Sequence, residues 1–238
     1  MSKPEASDAF SIDHVGFLVG DPAGFDRYSA LHWVATEAFQ HALPTRSEDD
    51  IRHLLGGDLA SYRNSRRDPQ LLRYHDAFNS DQRFSDARMV VAEVNPQEVI
   101  GYGYAANNVS GRTGMERQAK YMTTAKRWAW IREIAVLPDA PRGTGTAIAA
   151  LLLDGFKPKQ PVSAYTWEED VAGERFARRL GLERSEDPTT AYPFGQLAHP
   201  AQQYRWAGKV ADTLITIEAL PGAREALAGA RQHIFPLQ

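Results

Sequence analysis

The chain has 238 residues, a formal net charge of −3, 43% hydrophobic and 24% charged residues, and no cysteine. That balance fits a folded globular protein and gives no bulk electrostatic pull toward nucleic acid or an anionic membrane. The lack of cysteine excludes disulfides, thiolate metal sites and a cysteine nucleophile.

The opening residues MSKPEASDAF are polar and acidic, unlike a basic stretch followed by an apolar core. The longest strongly apolar run, Ala147 to Leu153, is far shorter than the ~18 residues that span a bilayer. The expectation is a cytoplasmic protein whose residues 1–10 form a flexible N-terminus.

In chain order, Ser11 to Val19 reads as a short strand, and Asp21-Pro22 as the start signal of a helix over about Phe25 to His41, with Leu31, Val34, Ala35 and Ala38 on one stripe. Ser47 is placed to cap a second helix, whose first turn is acidic and which Gly56-Gly57 interrupts. Residues 58–86 are polar and arginine-rich, with helical character around PQLLRYHDAF. ARMVVAEV and EVIGYGYAA predict two strands about a turn at NPQ, and RWAWIREIAVL predicts a third.

RGTGTAIAALLL then opens a helix with Ile148, Leu151, Leu152 and Phe156 on a core face. PVSAYTW predicts a strand, and EDVAGERFARRLG a helix ended by Gly181. Strand, helix, strand, helix in this order implies parallel strands with right-handed crossovers. Beyond residue 195, QQYRWAG reads as a strand candidate, and VADTLITIEAL and AREALAGARQHI as helices.

The glycines after IAVLP decide the chemistry. A P-loop fails because no glycine has the required Lys-Ser/Thr partner, and a dinucleotide fingerprint fails because Ile148 holds its third glycine position. Arg142, Gly145 and Ala147 do fill the pattern [QR]-x-x-G-x-[GA], between a strand and a helix. A turn before a core helix is the plain alternative. The first N–H groups of a helix lack internal partners, however, and its dipole favours an anion there.

In that setting the segment resembles the GNAT superfamily of acyl-CoA N-acyltransferases, and the likeness runs from about Ala87 to Glu183. It implies a GNAT-like mixed twisted α/β sheet flanked by helices over residues 11–195; residues 196–238, by their own pattern, read as a helical C-terminal extension packed on the same domain. It implies acetyl-CoA as co-substrate, its pyrophosphate held by Arg142, Gly143, Thr144, Gly145, Thr146 and Ala147, and its pantetheine arm paired with the backbone of Val136 and Leu137. The implied reaction is acetyl transfer to a primary amine of a small molecule or peptide, and the absence of cysteine fits direct transfer over a ping-pong route; no membrane partner is expected, nucleic acid is disfavoured as a partner, and there is room for a homodimer.

The sequence departs from the family at Ala177, where many members carry a tyrosine that reprotonates the thiolate, and at Asp170, which replaces an asparagine. Tyr165 and Tyr192 are the substitutes as general acid. That departure motivates the alternative of an acyl-CoA-binding sensor with little catalysis.

A carboxylate in a central strand is costly unless it faces a wet cleft or has a partner, so Glu133 is the first candidate base, or else an arginine's ion-pair partner. Glu168 and Glu169 follow, with helix-start acids as their plain reading. Trp128 and Trp130 share a strand face, as core or as an acceptor-site wall. The basic runs Arg112 to Arg127 and Arg63 to Arg67 are solvated segments, or a rim that favours an acidic acceptor or nucleic acid. The seven histidines offer no HExxH or i, i+4 pair, and no metal is expected.

Overall fold

The computed structural model describes residues 10–20, 27–54, 84–96, 98–108, 128–186, 189–191 and 201–236. The strands are β1 (Gly16–Gly20), β2 (Phe84–Asn95), β3 (Glu98–Asn108), β4 (Trp128–Val136), β5 (Pro161–Trp167), β6 (Glu183–Arg184), β7 (Thr189–Ala191), β8 (Ala201–Lys209) and β9 (Ile234–Pro236). The helices are α1 (Tyr28–Ala42), α2 (Glu48–Leu54), α3 (Thr144–Leu153), α4 (Val171–Arg179), α5 (Val210–Glu218) and α6 (Ala223–Gln232). The expected helical character near residues 69–78 and the glycines at 56–57 lie outside the described residues.

The strands form one mixed sheet in the order β6-β8-β5-β4-β3-β2-β1-β9, with β7 also on β8. Neighbours from β1 to β4 run antiparallel, β4 and β5 run parallel, and β5 and β8 run antiparallel. The short hairpin between β2 and β3 and the long crossover through α3 match these senses, since only parallel neighbours need a helix-length connection.

Helices cover both faces. Leu31, Val34 and Ala35 of α1 and Ile51 of α2 pack with Met89, Val91, Tyr102 and Tyr104. On the other face α3, α4, α5 and α6 pack with Val90, Ala92, Ile131 and Val162. Val90 and Ala92 therefore face one core while Met89 and Val91 face the other, which is why this strand is an unbroken apolar run instead of alternating. Ser47 caps α2 as expected, its hydroxyl accepting from the Asp50 N–H at 3.1 Å. Ser47→Ala is expected to cost about 1 kcal/mol, checked by denaturant unfolding.

α3 is buried on all sides, not on one face: every residue from Ala147 to Leu153 has 0% exposure. The reason is tertiary, because α5 and α6 cover the side that a single stripe would leave to water. Arg231 of α6 ties these helices, donating to Asp154 at 2.8 and 3.0 Å and to Glu218 at 3.0 Å. α3 also sits very close to the sheet. A Cβ on Gly103 of β3 would lie 2.3 Å from Ile148 Cγ2 and 2.9 Å from Leu152 Cδ1, so glycine sets the spacing there.

The C-terminal segment supplies strands as well as helices: β8 lies between β5 and β6, and β9 extends the sheet beside β1 in parallel. At the other end, Phe10 falls within the stretch expected to be flexible yet packs against the core. Residues 1–9 lie outside the described residues.

Candidate active site

α3 begins where β4 ends. Gly143 is its N-cap, with φ +95°, a left-handed conformation that side chains disfavour, and the Phe10 ring occupies the space a Cβ would need. Ser11 N–H donates to the Arg142 carbonyl at 2.9 Å, so the chain's first described residues brace this turn. Thr144 N–H and its hydroxyl both donate to the Pro141 carbonyl, at 3.1 and 2.6 Å, and Ala147 N–H donates to the Gly143 carbonyl at 2.8 Å. Gly145 and Thr146 N–H lie in the first turn, where a helix has no internal acceptor to offer. The side chains of Thr144 and Thr146 are buried, whereas Arg142 is exposed. An anion placed at this turn would therefore meet backbone N–H groups and the Arg142 guanidinium, not threonine hydroxyls.

β4 carries a bulge. Tyr104 pairs with Glu133 and Ala105 with Ile131, which leaves Arg132 as an extra residue. The consequence is a change of parity. Ala129 and Ile131 lie in the α3-side core, and after the bulge it is Ile134 and Val136 that pack against that core. Glu133 is thereby turned to the α1/α2 face, which carries Tyr102, Tyr104 and Ala135. In an unbulged strand its carboxylate would enter the apolar packing around α3. The Tyr102 hydroxyl donates to Glu133 Oε1, and Glu133 itself is half-buried.

The same strand parts from its neighbour. β4 and β5 pair in register at Ala129 with Val162 and at Trp130 with Ser163, and the remaining lengths, to Val136 and Trp167, run past this short junction. Trp130 and Tyr165 stand across it edge to face, with ring centroids 5.9 Å apart and planes at 67°. The Arg132 guanidinium lies 3.8 Å over the Trp130 ring. Trp130 is thus half-buried at an opening, not in the core. Trp128 carries Arg205 over its ring at 4.1 Å.

Where the strands part, the backbone of Val136 faces the opening. Leu137 N–H donates to the Ile100 carbonyl at 2.9 Å and the Leu137 carbonyl accepts from Ala140 N–H at 3.1 Å. Both polar groups of Leu137 are therefore committed to the fold. Successive N–H groups of a strand point in opposite directions, which sends that of Val136 toward β5. Val136 also meets the glycine turn: its Cγ2 is 3.4 Å from the position of a Cβ on Gly145, and Phe176 of α4 is 3.6 Å from it.

The remaining candidates separate. Glu168 and Glu169 are exposed in the turn after β5. Glu169 forms a two-pronged ion pair with Arg46, at 2.8 and 2.6 Å, fastening that turn to the segment before α2. Asp170 is the N-cap of α4 and accepts from Gly173 N–H at 2.6 Å. Burial raises its pKa, partly offset by the Gly173 and Ala172 N–H groups. Ala177 is 2% exposed within the α3-side core, so its side chain belongs to that packing and not to the parting of β4 and β5. Tyr165 is 38% exposed at the junction. Tyr192 and the basic runs at 63–67 and 112–127 lie outside the described residues.

Two members of the site were not singled out from sequence. Tyr102 lacks any local motif, and its alternation with Tyr104 reads as ordinary packing. Arg132 is prominent only because of a bulge that depends on pairing with β3.

Among the described residues, no three His, Asp or Glu side chains gather in a way that could hold a metal ion, and no helix is long and apolar enough to cross a membrane.

No protein-family model and no curated protein matches the sequence. Solved structures do resemble it. Arabidopsis thaliana NAA60 in complex with acetyl-CoA is 12% identical with a TM-score of 0.47, over 82% of this chain and 98% of that one. An acetyltransferase from Thermus thermophilus is 17% identical with a TM-score of 0.44, over 80% and 95%. Nourseothricin acetyltransferase is 16% identical with a TM-score of 0.38, and the match takes in 52% of this chain and 66% of that protein. By its own strand order, its parted β4–β5 pair and its glycine-opened helix after β4, the chain has the helix-flanked mixed α/β fold that the resemblance to the GNAT superfamily implies.

Proposed function

We propose that the protein is a GNAT-type N-acetyltransferase that moves an acetyl group from acetyl-CoA directly to a primary amine. The observation that carries this is the junction of β4 and β5: the strands part beside a carboxylate, and the strand bearing it is followed by a glycine-capped helix whose first-turn N–H groups have no internal partners. The residues fit a pyrophosphate, because the first-turn N–H groups of Gly145 and Thr146 and the exposed Arg142 are the donors such a group needs. Gly143, Thr144 and Ala147 shape that turn, and Val136 offers its backbone to the pantetheine arm.

In the reaction the nitrogen of the freed amine bonds to the thioester carbonyl carbon as the carbon–sulfur bond breaks, giving an amide and a thiolate, and the N–H proton that the nitrogen sheds as the amide forms balances the one the thiolate takes up. An amine of lysine type has a pKa of about 10.4, so freeing it at pH 7 costs on the order of 4.6 kcal/mol. Glu133 takes this proton, directly or through a water, from the α1/α2 side. Tyr102 orients the carboxylate by donating to it. Tyr165, exposed at the junction, returns a proton to the thiolate, a role that Ala177 cannot take. Glu168 is the reserve base, exposed one residue beyond β5. Glu169 is assigned to the Arg46 ion pair.

Acetyl-CoA is expected to raise the melting temperature, and Arg142→Glu to abolish the rise by placing a negative charge at the anion site. A wild-type protein with no shift at millimolar acetyl-CoA would overturn the donor assignment. The buried alanine at position 177 favours one second reading, a cofactor-binding sensor. Thiol release across a panel of amines separates the two, since a sensor binds acetyl-CoA without turnover.

A further inference from the structure

β4 presents two opposite charges in succession, Arg132 and Glu133, and the bulge decides where they go. Ile131 lies in the α3-side core, and Ile134 packs against the same core. A regular strand places one residue between two that share a face. Here there are two, because Arg132 is the extra residue. Guanidinium and carboxylate therefore both leave the strand on the α1/α2 side, beside the parting of β4 and β5.

Aromatic partners draw the two charges apart along the strand. Arg132 leans back over Trp130, toward the start of β4. Glu133 accepts from Tyr102, which stands opposite Ala135 and so toward the strand's end. Stacking covers a face of the guanidinium and orients its N–H groups in plane, the geometry that suits a carboxylate.

We propose that this pair selects an acceptor carrying both charges: a primary amine brought to Glu133 and a carboxylate, a few bonds away, received by Arg132. The substrate class is an amino acid with its own free carboxylate, not a simple amine or a polyamine. The proposal rests on the acetyl-transfer reading for the fate of the amine, while the carboxylate contact stands on the stacked arginine.

Matched pairs of amines test it: lysine against cadaverine, and γ-aminobutyrate against propylamine, each followed by thiol release with acetyl-CoA. The wild type is expected to favour the carboxylated member by at least about tenfold in kcat/KM, as one charged hydrogen-bonded contact allows. Arg132→Gln is expected to bring kcat/KM of the two members of each pair within about twofold of one another, mainly by raising KM for the carboxylated member, while Arg132→Lys restores part of the preference. Equal losses for both members, together with a lowered melting temperature, would assign Arg132 to structure alone and overturn the proposal. So would a wild type without preference.

A parallel melting-temperature series with each amine and no acetyl-CoA keeps the two readings distinguishable. A shift given only by carboxylated amines and lost in Arg132→Gln supports the carboxylate contact even if no transfer occurs. Identical shifts for both members of each pair overturn it. Failure of acetyl-CoA itself to shift the protein counts only against the donor reading.

Discussion

Glu133→Gln is expected to lower kcat/KM by about 10²–10⁴-fold, the range that general-base catalysis supplies. The substitution keeps the shape of the side chain and leaves an amide that still bonds to the Tyr102 hydroxyl. Packing around Tyr102 and Ala135 should therefore survive, and acetyl-CoA should still raise the melting temperature, because its proposed contacts lie on Val136 and the α3 turn. The loss should appear in kcat, measured by steady-state thiol release. Activity within threefold of wild type would move the base elsewhere, with Glu168 next to be replaced. Tyr102→Phe removes a positioning contact and not the carboxylate, so about a tenfold loss is expected for one hydrogen bond to a charged group.

Gly103→Ala is expected to destabilise the fold by about 1–3 kcal/mol, the usual cost of overpacking, or roughly 2–4 °C in Tm per kcal/mol. The new methyl would meet Ile148 Cγ2 at 2.3 Å, and that atom hangs directly from the Ile148 Cβ, so it cannot swing away without a change of χ1. α3 must then move off the sheet. Its N-terminus is the proposed pyrophosphate site, so acetyl-CoA affinity should fall along with stability. Ile148→Ala alone also destabilises, by leaving a cavity. The double variant should be better than the sum of the singles, because each change fills the space the other disturbs. Additive losses would show that α3 has room to spare above Gly103.

The elements legible in the sequence are those whose signal is local. PVSAYTW is β5 residue for residue, and Ser47 caps α2, because a turn, a cap or a short alternation is complete within a few residues. The glycine turn after IAVLP was legible for the same reason: a helix start and its N–H groups are made by consecutive residues. The single-stripe reading of α3 was too narrow, since the cover provided by α5 and α6 comes from residues more than fifty positions away. The C-terminal segment reads, from its pattern, mainly as helices. Its strand β8 is placed between β5 and β6 by pairing that composition does not record.

By itself, the sequence determined that cysteine chemistry is excluded, where the helix N-terminus with Arg142 and Gly145 falls, and that Glu133 is a carboxylate in a central strand. Only the tertiary structure decided which way that carboxylate faces. The bulge at Arg132 exists in the register between β3 and β4, and one extra residue reverses every side chain beyond it. The same register turned Arg132 and Glu133 to one face, committed the Leu137 N–H to the Ile100 carbonyl, and left Val136 toward the parting of β4 and β5. A strand's own residues set its alternation; its partner strand sets the phase.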